Sequence, residues 1–450
     1  MPLVLTIIIA KLSARLSSWL GRGSGSALPG LIAEKLDPQV GAKLASRLKH
    51  GSIIITGTNG KTTTTKMTTA IMAKSGQRIL TNRSGSNLTR GLVSTLVGAC
   101  NWVGHIDYDL GIFEVDEASL RSAVKMLNPK TVLVLNLFRD QLDRYGELDK
   151  TAATIGRAIG LVKGEVWLNA DDPLVASLMT YAEHSAKVRY FGVEKTTVTK
   201  LQHDVTADSD SCPICGEPLL YSAQFFGRIG HLHCPIGHSS RPKPEIWLDQ
   251  TEAEFKLQNR QGQSAKFELL LPGLYNGYNA LAAAAITSSL GLSLPETAAA
   301  LAEVEAAFGR QESFEFKGRQ VLLLLIKNPT GFNQVIQTFL TDQTAKHLMI
   351  AINDKFADGR DVSWLWDVGF EEINPEAQIV ASGLRAYDLA VRLKYANRQT
   401  QLIEPDLARA FSQALEQTAA GQTLYVLPTY TAMFELRQLL AKQIKLESWT

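Results

Sequence analysis

Apolar runs and amphipathic stretches alternate along the first part of the chain. Strand-like runs rich in β-branched residues are predicted at 52–56, 78–81, 109–115, 131–137, 165–169 and 188–192. Helices are predicted between them, at 61–75, 89–99, 118–127, 149–160 and 173–182. Alternating strands and helices predict an α/β fold with a parallel sheet, in which ligands bind at the carboxyl ends of the strands.

The alternation stops at 203–243 and resumes as a second series near residue 318. Between the two series, strands are predicted at 245–257 and 265–271, and an Ala-rich helix follows them. The second series contains predicted strands at 320–326, 347–353, 377–382 and 423–428, and predicted helices at 331–340, 384–396, 406–418 and 430–443. The predicted organisation is a helical segment at 1–48, a central domain at 49–312 with an insertion at 203–243, and a Rossmann-like α/β domain at 313–450.

Composition narrows the class of protein without identifying it. The 450 residues are 45% hydrophobic and 20% charged, as in ordinary globular proteins, and a formal charge of +2 argues against binding to nucleic acid. The apolar stretch at 3–10 is too short to cross a bilayer and lacks the basic start of a signal peptide. With Lys11, Leu12, Leu16 and Leu20 it predicts an amphipathic helix packed on the body of the protein, contact with a membrane surface being the alternative.

A glycine-rich turn follows the first predicted strand. The sequence Gly57-Thr-Asn-Gly-Lys-Thr62 connects the strand at 52–56 to a predicted helix, which is the arrangement of a phosphate-binding loop. In such a loop, backbone N–H groups point at the anion, Lys61 can reach the β- and γ-phosphates, and the Thr62 hydroxyl can bind Mg²⁺. The residues predicted to bind a nucleotide are Gly57, Thr58, Asn59, Gly60, Lys61, Thr62 and Thr63. A chance Gly-Lys-Thr sequence at a helix start is the alternative.

Polar side chains also end several of the later strands in this series. They are Glu114, Asp116, Asn136, Asn169, Asp171 and Asp172. Since the carboxyl ends of parallel strands meet at one edge of a sheet, these side chains are expected near the phosphate-binding loop.

Three of the four cysteines fall within 23 residues, and Cys100 stands apart. Cys212 and Cys215 have the spacing of a zinc knuckle, and Cys234 follows a hairpin-like stretch. This clustering predicts a metal site in a reducing cytosol rather than disulfides.

Four motifs follow one another along the chain: Gly57-Thr-Asn-Gly-Lys-Thr62, Glu114, Asn169-Ala-Asp-Asp-Pro173 and Asn276-x-x-Asn279. In this order they resemble the ATP-dependent Mur ligases of peptidoglycan synthesis. Four further features are Phe138-Arg-Asp-Gln-Leu-Asp-Arg-Tyr-Gly146, the inserted Cys-x-x-Cys ribbon, Lys327-Asn-Pro-Thr-Gly331 and Asp358-Gly-Arg-Asp-Val-Ser-Trp364. With them the chain is more closely similar to the MurT family, the Mur ligase-like subunits of lipid II isoglutaminyl synthases. The resemblance covers the chain from about residue 12 to residue 440.

The resemblance implies a reaction, cofactors and partners. Subunits of this family use ATP to convert the α-carboxylate of D-glutamate in the lipid II stem peptide into an acyl phosphate. Ammonia from a GatD-like glutamine amidotransferase then gives D-isoglutamine. The implied fold is a Mur ligase-type ATP-binding domain with a zinc-ribbon-like insertion, followed by a Rossmann-like C-terminal domain. The implied cofactors are ATP, Mg²⁺ and a structural Zn²⁺. The implied assembly is a heterodimer or larger complex that acts on lipid II in the cytoplasm, at the inner face of the membrane.

The resemblance also implies roles for individual residues. Thr62 and Glu114 would hold Mg²⁺, and Lys61 would act on the transferring phosphate. Three further residues, Asn276, Asn279 and Arg310, would lie at the nucleotide. The alternatives are that Glu114 is a surface carboxylate and that the two asparagines cap a helix.

Asp361 matches an aspartate that would complete a Cys-His-Asp arrangement with the cysteine and histidine of the partner. The alternative is that Asp358 and Asp361 close a turn.

Two departures from the resemblance concern metals. The lysine that amino-acid-adding Mur ligases carbamylate has no identifiable counterpart here. The ribbon also lacks the fourth cysteine expected near Ile236, so the fourth zinc ligand is predicted to be a histidine, His238 in preference to His231 or His233. The alternative is a ribbon that binds no metal.

Two other functions are alternatives to the synthetase subunit that the resemblance implies. The first is a stand-alone Mur ligase or a folylpolyglutamate-synthase-like amino-acid ligase, which would need the carbamylated lysine. The second is a scaffold that binds nucleotide without catalysis. The presence of Lys61, Thr62 and Glu114 argues against the scaffold.

Overall fold

The computed structural model describes residues 1–19, 27–82, 85–140, 148–182, 186–197, 211–251, 254–305, 311–342, 344 and 346–444. Two large sheets and one small hairpin organise these residues.

The larger sheet contains nine strands in the order β11-β10-β9-β6-β5-β4-β1-β3-β2. The first six strands of the chain pair in parallel with one another: β1 (Ser52–Thr56), β2 (Ile79–Thr81), β3 (Leu110–Glu114), β4 (Thr131–Val134), β5 (Glu165–Asn169) and β6 (Lys187–Lys195). β9 (Ile246–Gln250) pairs parallel to β6, and β10 (Phe255–Asn259) and β11 (Ser264–Phe267) extend the sheet antiparallel. β1, at the centre of the parallel part, is buried along its whole length, which is why its sequence is a continuous apolar run rather than an alternating one.

Helices cover both faces of this sheet. On one face lie α4 (Lys61–Lys74), α9 (Leu274–Ser289) and α10 (Leu294–Leu301). On the other lie α1 (Leu3–Trp19), α2 (Leu28–Leu36), α3 (Val40–Ala45), α5 (Thr89–Ala99), α6 (Leu120–Leu127), α7 (Leu148–Ile159) and α8 (Pro173–Ala176). The hairpin of β7 (Leu220–Phe226) and β8 (Ile229–His233) belongs to the predicted insertion and forms a separate two-stranded sheet.

The second sheet has six strands in the order β12-β13-β17-β14-β15-β16. They are β12 (Gln311–Phe316), β13 (Arg319–Leu324), β14 (His347–Ala351), β15 (Gln378–Ser382), β16 (Thr400–Glu404) and β17 (Thr423–Pro428), of which only β12 runs antiparallel to its neighbour. Its helices are α11 (Pro329–Phe339), α12 (Ala386–Tyr395), α13 (Leu407–Gln417) and α14 (Tyr430–Leu440). The predicted α/β class with a Rossmann-like second half is confirmed.

Several elements differ from the sequence prediction. The strand predicted at 245–257 is two strands, β9 and β10, that fold back on each other. β12 begins at Gln311 and pairs with β13, so the predicted end of the central domain at 312 falls inside a strand of the second sheet. β16 has no counterpart in the prediction, and α2 and α3 lie within the predicted helical segment at 1–48. Among the described residues, no helix has both the length and the apolar character needed to span a membrane.

Candidate active site

The turn after β1 has the geometry of a phosphate-binding loop. Gly57 and Gly60 adopt positive φ angles of 126° and 87°, and Gly60 is the residue from which α4 starts. Asn136, at the end of β4, fixes the turn: its backbone oxygen accepts from Thr58 N at 2.9 Å and its Oδ1 accepts from Asn59 N at 2.8 Å. The N-terminus of α4 therefore faces the carboxyl edge of the sheet, where an anion is favoured.

Lys61 is buried beneath this loop. Its Nζ donates to the Gly57 carbonyl oxygen at 2.5 Å and lies 3.2 Å from Glu117 Oε1. Burial opposes the charge of Lys61, but Glu117, Glu114 and Asp116 outweigh it and raise the pKa of the lysine. Burial likewise raises the pKa of Glu117, against the attraction of Lys61. Lys61 thus contributes a fixed positive charge where phosphates would bind.

Thr62 and Glu114 meet at the end of β3. Thr62 Oγ1 donates to Glu114 Oε2 at 2.7 Å, and Asn87 Nδ2 donates to Glu114 Oε1 at 3.4 Å. Asn82 holds the Glu114 backbone by accepting from its N–H at 2.9 Å. A hydroxyl and a carboxylate beside a phosphate loop are the oxygen ligands that Mg²⁺ prefers, so the donor set fits that ion. Glu114 is buried, which contradicts its alternative interpretation as a surface carboxylate.

Asn276 and Asn279 connect α9 to the loop. Asn279 Oδ1 accepts from Thr64 Oγ1 at 3.3 Å, and its Nδ2 donates to Asn276 Oδ1 at 3.3 Å. A Cβ atom added to Gly60 would lie 2.1 Å from Asn279 Oδ1, so this asparagine packs directly on the loop. Both asparagines lie inside α9, whose N-cap is Gly273, so capping does not explain them.

A cleft between the two sheets runs along this loop. It has an empty volume of about 1040 Å³, including space open to solvent, and both domains line it. Its lining includes Thr62, Asn136, Asn279, Gln311 and Lys327. Arg310, which the resemblance places at the nucleotide, lies outside the described residues, as do residues 141–146 of the motif that begins at Phe138.

Two contacts join the domains beside the cleft. Asn328 Nδ2 donates to Asn59 Oδ1 at 3.0 Å, and Asn59 Nδ2 donates to Asn328 Oδ1 at 3.3 Å. Lys327 Nζ lies 2.5 Å from Asp140 Oδ2. The sequence 327–331, at the start of α11, therefore contacts the phosphate loop directly.

The carboxylates at the end of β5 anchor the insertion. Asp171 and Asp172 are fully buried, and burial raises the pKa of both, although each faces an arginine. Arg241 Nε donates to Asp171 Oδ1 at 2.5 Å, and Arg228 Nε lies 3.8 Å from Asp172 Oδ1. These two aspartates therefore face arginines of the insertion, whereas the side chain of Glu114 accepts from the neutral groups of Thr62 and Asn87.

The hairpin that these arginines anchor forms one wall of the cleft. Phe226 and Ile229 line the cleft, and the Phe226 ring lies 5.6 Å from that of Tyr278. The insertion thus contributes apolar surface to the site.

The three clustered cysteines come together at the far part of the insertion. The Sγ atoms of Cys212, Cys215 and Cys234 lie within 4.8 Å of one another, and no histidine nitrogen among the described residues joins this group. Ser239 Oγ lies 3.2 Å from Cys212 Sγ. The His231 ring is 2.7 Å from the Val193 carbonyl oxygen, so that histidine already has a partner. Three thiols at this spacing fit a tetrahedral zinc site with one further ligand.

Asp361 lies in a smaller groove next to the cleft. Its Oδ1 accepts from Ser363 N at 2.8 Å, and hydrogen bonds from the backbone and side chain of Ser363 lower the pKa of its exposed carboxyl. Asp358 is buried and accepts from Lys355 N at 3.2 Å and from Thr431 N at 2.8 Å, so both aspartates bond backbone N–H groups a few residues away, as the turn alternative predicts. Lys327 and Asn328 line both the groove and the cleft.

Sequence reasoning missed the roles of Glu117, Asn87, Asn328 and Ser239. Glu117 and Asn328 belong to stretches that the analysis singled out, but their partners are 56 and 269 residues away in the chain. No local pattern encodes such pairs.

Comparison with known proteins agrees with this geometry. The family model described as Mur ligase middle domain matches residues 55–232, and the one described as MurT ligase C-terminal matches residues 325–433. The chain is 31% identical to the Staphylococcus aureus (strain N315) protein "Lipid II isoglutaminyl synthase (glutamine-hydrolyzing) subunit MurT", covering 95% of each chain. It is 33% identical to the protein of the same name from Streptococcus pneumoniae (strain ATCC BAA-255 / R6), covering 94% of this chain and 93% of the relative.

Among solved structures, a pseudomurein peptide ligase type C from Methanothermus fervidus matches with a TM-score of 0.70 and 21% identity, covering 89% of this chain and 80% of that one. That likeness confirms the Mur ligase-type fold. Since the Staphylococcus and Streptococcus relatives match over nearly their whole length, the chain belongs to the MurT family of Mur ligase-like subunits.

Proposed function

We propose that this chain is the ATP-dependent synthetase subunit of a lipid II isoglutaminyl synthase. The observation that carries the proposal is the phosphate loop, with Lys61 below it and the Thr62–Glu114 pair beside it, facing a cleft closed by a MurT-type C-terminal domain. Membership of the MurT family supports the same reaction.

The reaction needs a good leaving group on a poor electrophile. A carboxylate oxygen of the stem-peptide D-glutamate attacks the γ-phosphorus of ATP, the β–γ bridging bond breaks, and ADP leaves. Ammonia then attacks the acyl carbon, the bond to the phosphate oxygen breaks, and the nitrogen loses a proton to give the amide.

The chain's own residues position and neutralise charge in these steps. Lys61 and the N–H groups of the loop bind the phosphates, and Asn279 and Asn276 border the nucleotide. Thr62 and Glu114 would hold Mg²⁺, which when bound neutralises phosphate charge.

We propose that the C-terminal domain binds the glutamine amidotransferase. Asp361 is exposed and its pKa is lowered, so it can orient and stabilise a charged histidine supplied by a partner.

The 3₁₀ turn that begins two residues after Asp361 leads to an exposed apolar face. This face consists of Trp366, Leu384, Tyr387, Val391 and Tyr395, each at least 49% exposed. A patch of this kind is typical of a protein interface.

The proposal also includes the route of ammonia, the zinc ion and the location of the complex. Lys327 and Asn328 line both the Asp361 groove and the cleft, which favours delivery of ammonia along them. Cys212, Cys215 and Cys234 bind a structural zinc, with His238 or Ser239 as the fourth ligand. The complex works at the cytoplasmic face of the membrane, where lipid II is amidated.

Comparing two variants tests the proposal. Asp361→Asn, assembled with the amidotransferase, should lose glutamine-dependent amidation and regain it with high concentrations of ammonia, because Asn cannot stabilise the partner's imidazolium. Lys61→Ala should be inactive with either nitrogen source, because losing a charge on the transferring phosphate costs several kcal/mol in the transition state, on the order of 10²–10³ in rate.

Lipid II amidation is measured with glutamine and with ammonia for both variants. Normal glutamine hydrolysis by Asp361→Asn would remove that residue from the triad. Near wild-type activity of Lys61→Ala would refute the assignment of the phosphate site.

A further inference from the structure

The outward face of α1 is apolar. Ile7 and Ala10 are fully buried against the body. The opposite face carries four apolar side chains spaced by four, three and four residues, which places them in one row along the helix. They are Leu5, Ile9, Leu12 and Leu16, and their exposed fractions are 45%, 36%, 52% and 56%. The outer face of a surface helix is normally polar, because only the inward stripe has a partner to pack on. Packing on the body therefore explains only one face of α1.

A second exposed apolar element lies beside this helix. Trp102 and Val103, in the turn after α5, are 41% and 62% exposed. Lys11 Nζ and Arg15 Cζ lie 5.7 Å and 4.9 Å from the centre of the Trp102 ring, and Arg47 Nη1 donates to the Val103 carbonyl oxygen at 3.5 Å. The apolar surface thus has a border of basic side chains.

We propose that these residues dock the protein on an anionic lipid bilayer. The α1 surface is defined as Leu5, Ile9, Leu12, Leu16, Trp102 and Val103 together with its basic border of Lys11, Arg15 and Arg47. Aliphatic side chains on one face of a helix, an indole ring at the edge and neighbouring Lys and Arg side chains are the combination that binds the interface of anionic membranes.

Charge favours a bilayer over another protein as the occupant. The sequence of α1 contains no aspartate or glutamate, so nothing on the helix repels lipid phosphates. α1 lies flat on the body and is packed along its inner face, so it can enter the interface only with its outer side chains.

A cavity lies beside this surface. It is lined by residues of α1, α2, α5 and β2, among them Lys11 and Leu80, and by Ser86 from the segment between β2 and α5. The Ser86 carbonyl oxygen accepts from Asn82 Nδ2 at 3.0 Å, and Asn82 holds the backbone of Glu114. This part of the inference rests on the proposed function: the α1 surface would hold the chain at the bilayer that carries the lipid tail of its substrate.

Vesicle flotation tests the inference with the full-length chain. The probes are vesicles of phosphatidylglycerol and phosphatidylethanolamine, and neutral vesicles of phosphatidylcholine. The wild-type chain should bind the anionic vesicles at least tenfold more tightly than the neutral ones, and high salt should weaken the binding. Leu12→Ser/Leu16→Ser should bind the anionic vesicles at least tenfold more weakly than wild type. Lys11→Gln/Arg15→Gln should lose most of the vesicle binding that high salt weakens.

The matched control is Tyr387→Ser/Tyr395→Ser, which removes two exposed apolar side chains from the C-terminal domain and should bind vesicles as the wild type does. Equal vesicle binding by the wild type and the Leu12→Ser/Leu16→Ser variant would overturn the inference. The inference would also be overturned if the wild-type chain did not bind vesicles and formed a dimer that the Leu12→Ser/Leu16→Ser variant does not form.

A soluble substrate separates this inference from the proposed function. On a stem peptide without its lipid, Leu12→Ser/Leu16→Ser should keep wild-type ammonia-dependent amidation, because neither leucine belongs to the site. A wild-type chain that binds vesicles but does not amidate this peptide or lipid II would refute the proposed function and leave the docking surface standing.

Discussion

Replacing Gly60 by alanine tests the geometry of the phosphate loop. At a φ of 87°, a side chain costs about 1–2 kcal/mol relative to glycine. The new Cβ would also lie 2.1 Å from Asn279 Oδ1, far inside van der Waals contact, so Asn279 has to move. Its hydrogen bonds to Thr64 and Asn276, both 3.3 Å long, would be lost at about 0.5–1.5 kcal/mol each. The free energy of unfolding should therefore fall by roughly 2–5 kcal/mol.

Gly76→Ala is the matched control at the other end of the same helix. Gly76 has a φ of 80°, but a Cβ there would meet no atom within 4 Å. This variant should lose only about 1–2 kcal/mol, so the difference between the two variants isolates the displacement of Asn279.

Chemical denaturation and ATP titration of both variants measure these effects. Gly76→Ala should bind ATP normally, whereas Gly60→Ala should bind it roughly 10–100-fold more weakly, since each factor of ten corresponds to about 1.4 kcal/mol. If Gly60→Ala bound ATP with wild-type affinity, the close packing of Asn279 on the loop would have no part in nucleotide binding.

Two other predictions follow from buried groups. Glu117→Gln should destabilise the nucleotide-free protein by about 3 kcal/mol, because Lys61 would lose its ion-pair partner in a buried site, and ATP should then raise Tm more than it does in the wild type. An unchanged Tm without nucleotide would show that Glu114 and Asp116 suffice as partners. Metal analysis of chelator-free protein should find one zinc per chain, and the Cys234→Ser variant should lose it. Comparing the zinc content of His238→Ala with that of Ser239→Ala identifies the fourth ligand. Wild-type protein without zinc would support a ribbon that has lost its metal.

The sequence predicts the parts of the fold that depend on local pattern. β1 and α4 are visible because a buried parallel strand is continuously apolar and the glycine turn is short. The sequence does not predict β16, because Thr-Gln-Leu-Ile-Glu is a half-exposed edge strand with few apolar residues. β9 and β10 were joined into one predicted strand because no glycine or proline separates them.

The site residues likewise divide into those that a motif predicts and those whose roles depend on contacts with distant parts of the chain. Lys61 and Thr62 are predicted from the loop motif, in which their spacing from the glycines is fixed, and Glu114 is predicted from the resemblance to Mur ligases. Glu117 could not, because its role depends on where a turn after β3 places a carboxylate relative to a lysine 56 residues earlier. Asp171 and Asp172 looked equivalent to Glu114 as strand-end carboxylates, and only the arginines of the insertion distinguish them.

The paired amides of Asn59 and Asn328 imply a coupling between nucleotide and partner. Asn59 belongs to the phosphate loop, and Asn328 begins the first helix of the domain proposed to hold the amidotransferase. Two such hydrogen bonds, at about 1 kcal/mol each, allow one ligand to change the affinity of the other by on the order of 30-fold. Thermodynamic reciprocity requires the factor to be the same in both directions. A synthetase that binds ATP more tightly when its glutaminase is attached would therefore also bind the glutaminase more tightly when ATP is present, so that the complete complex forms mainly where ATP is available.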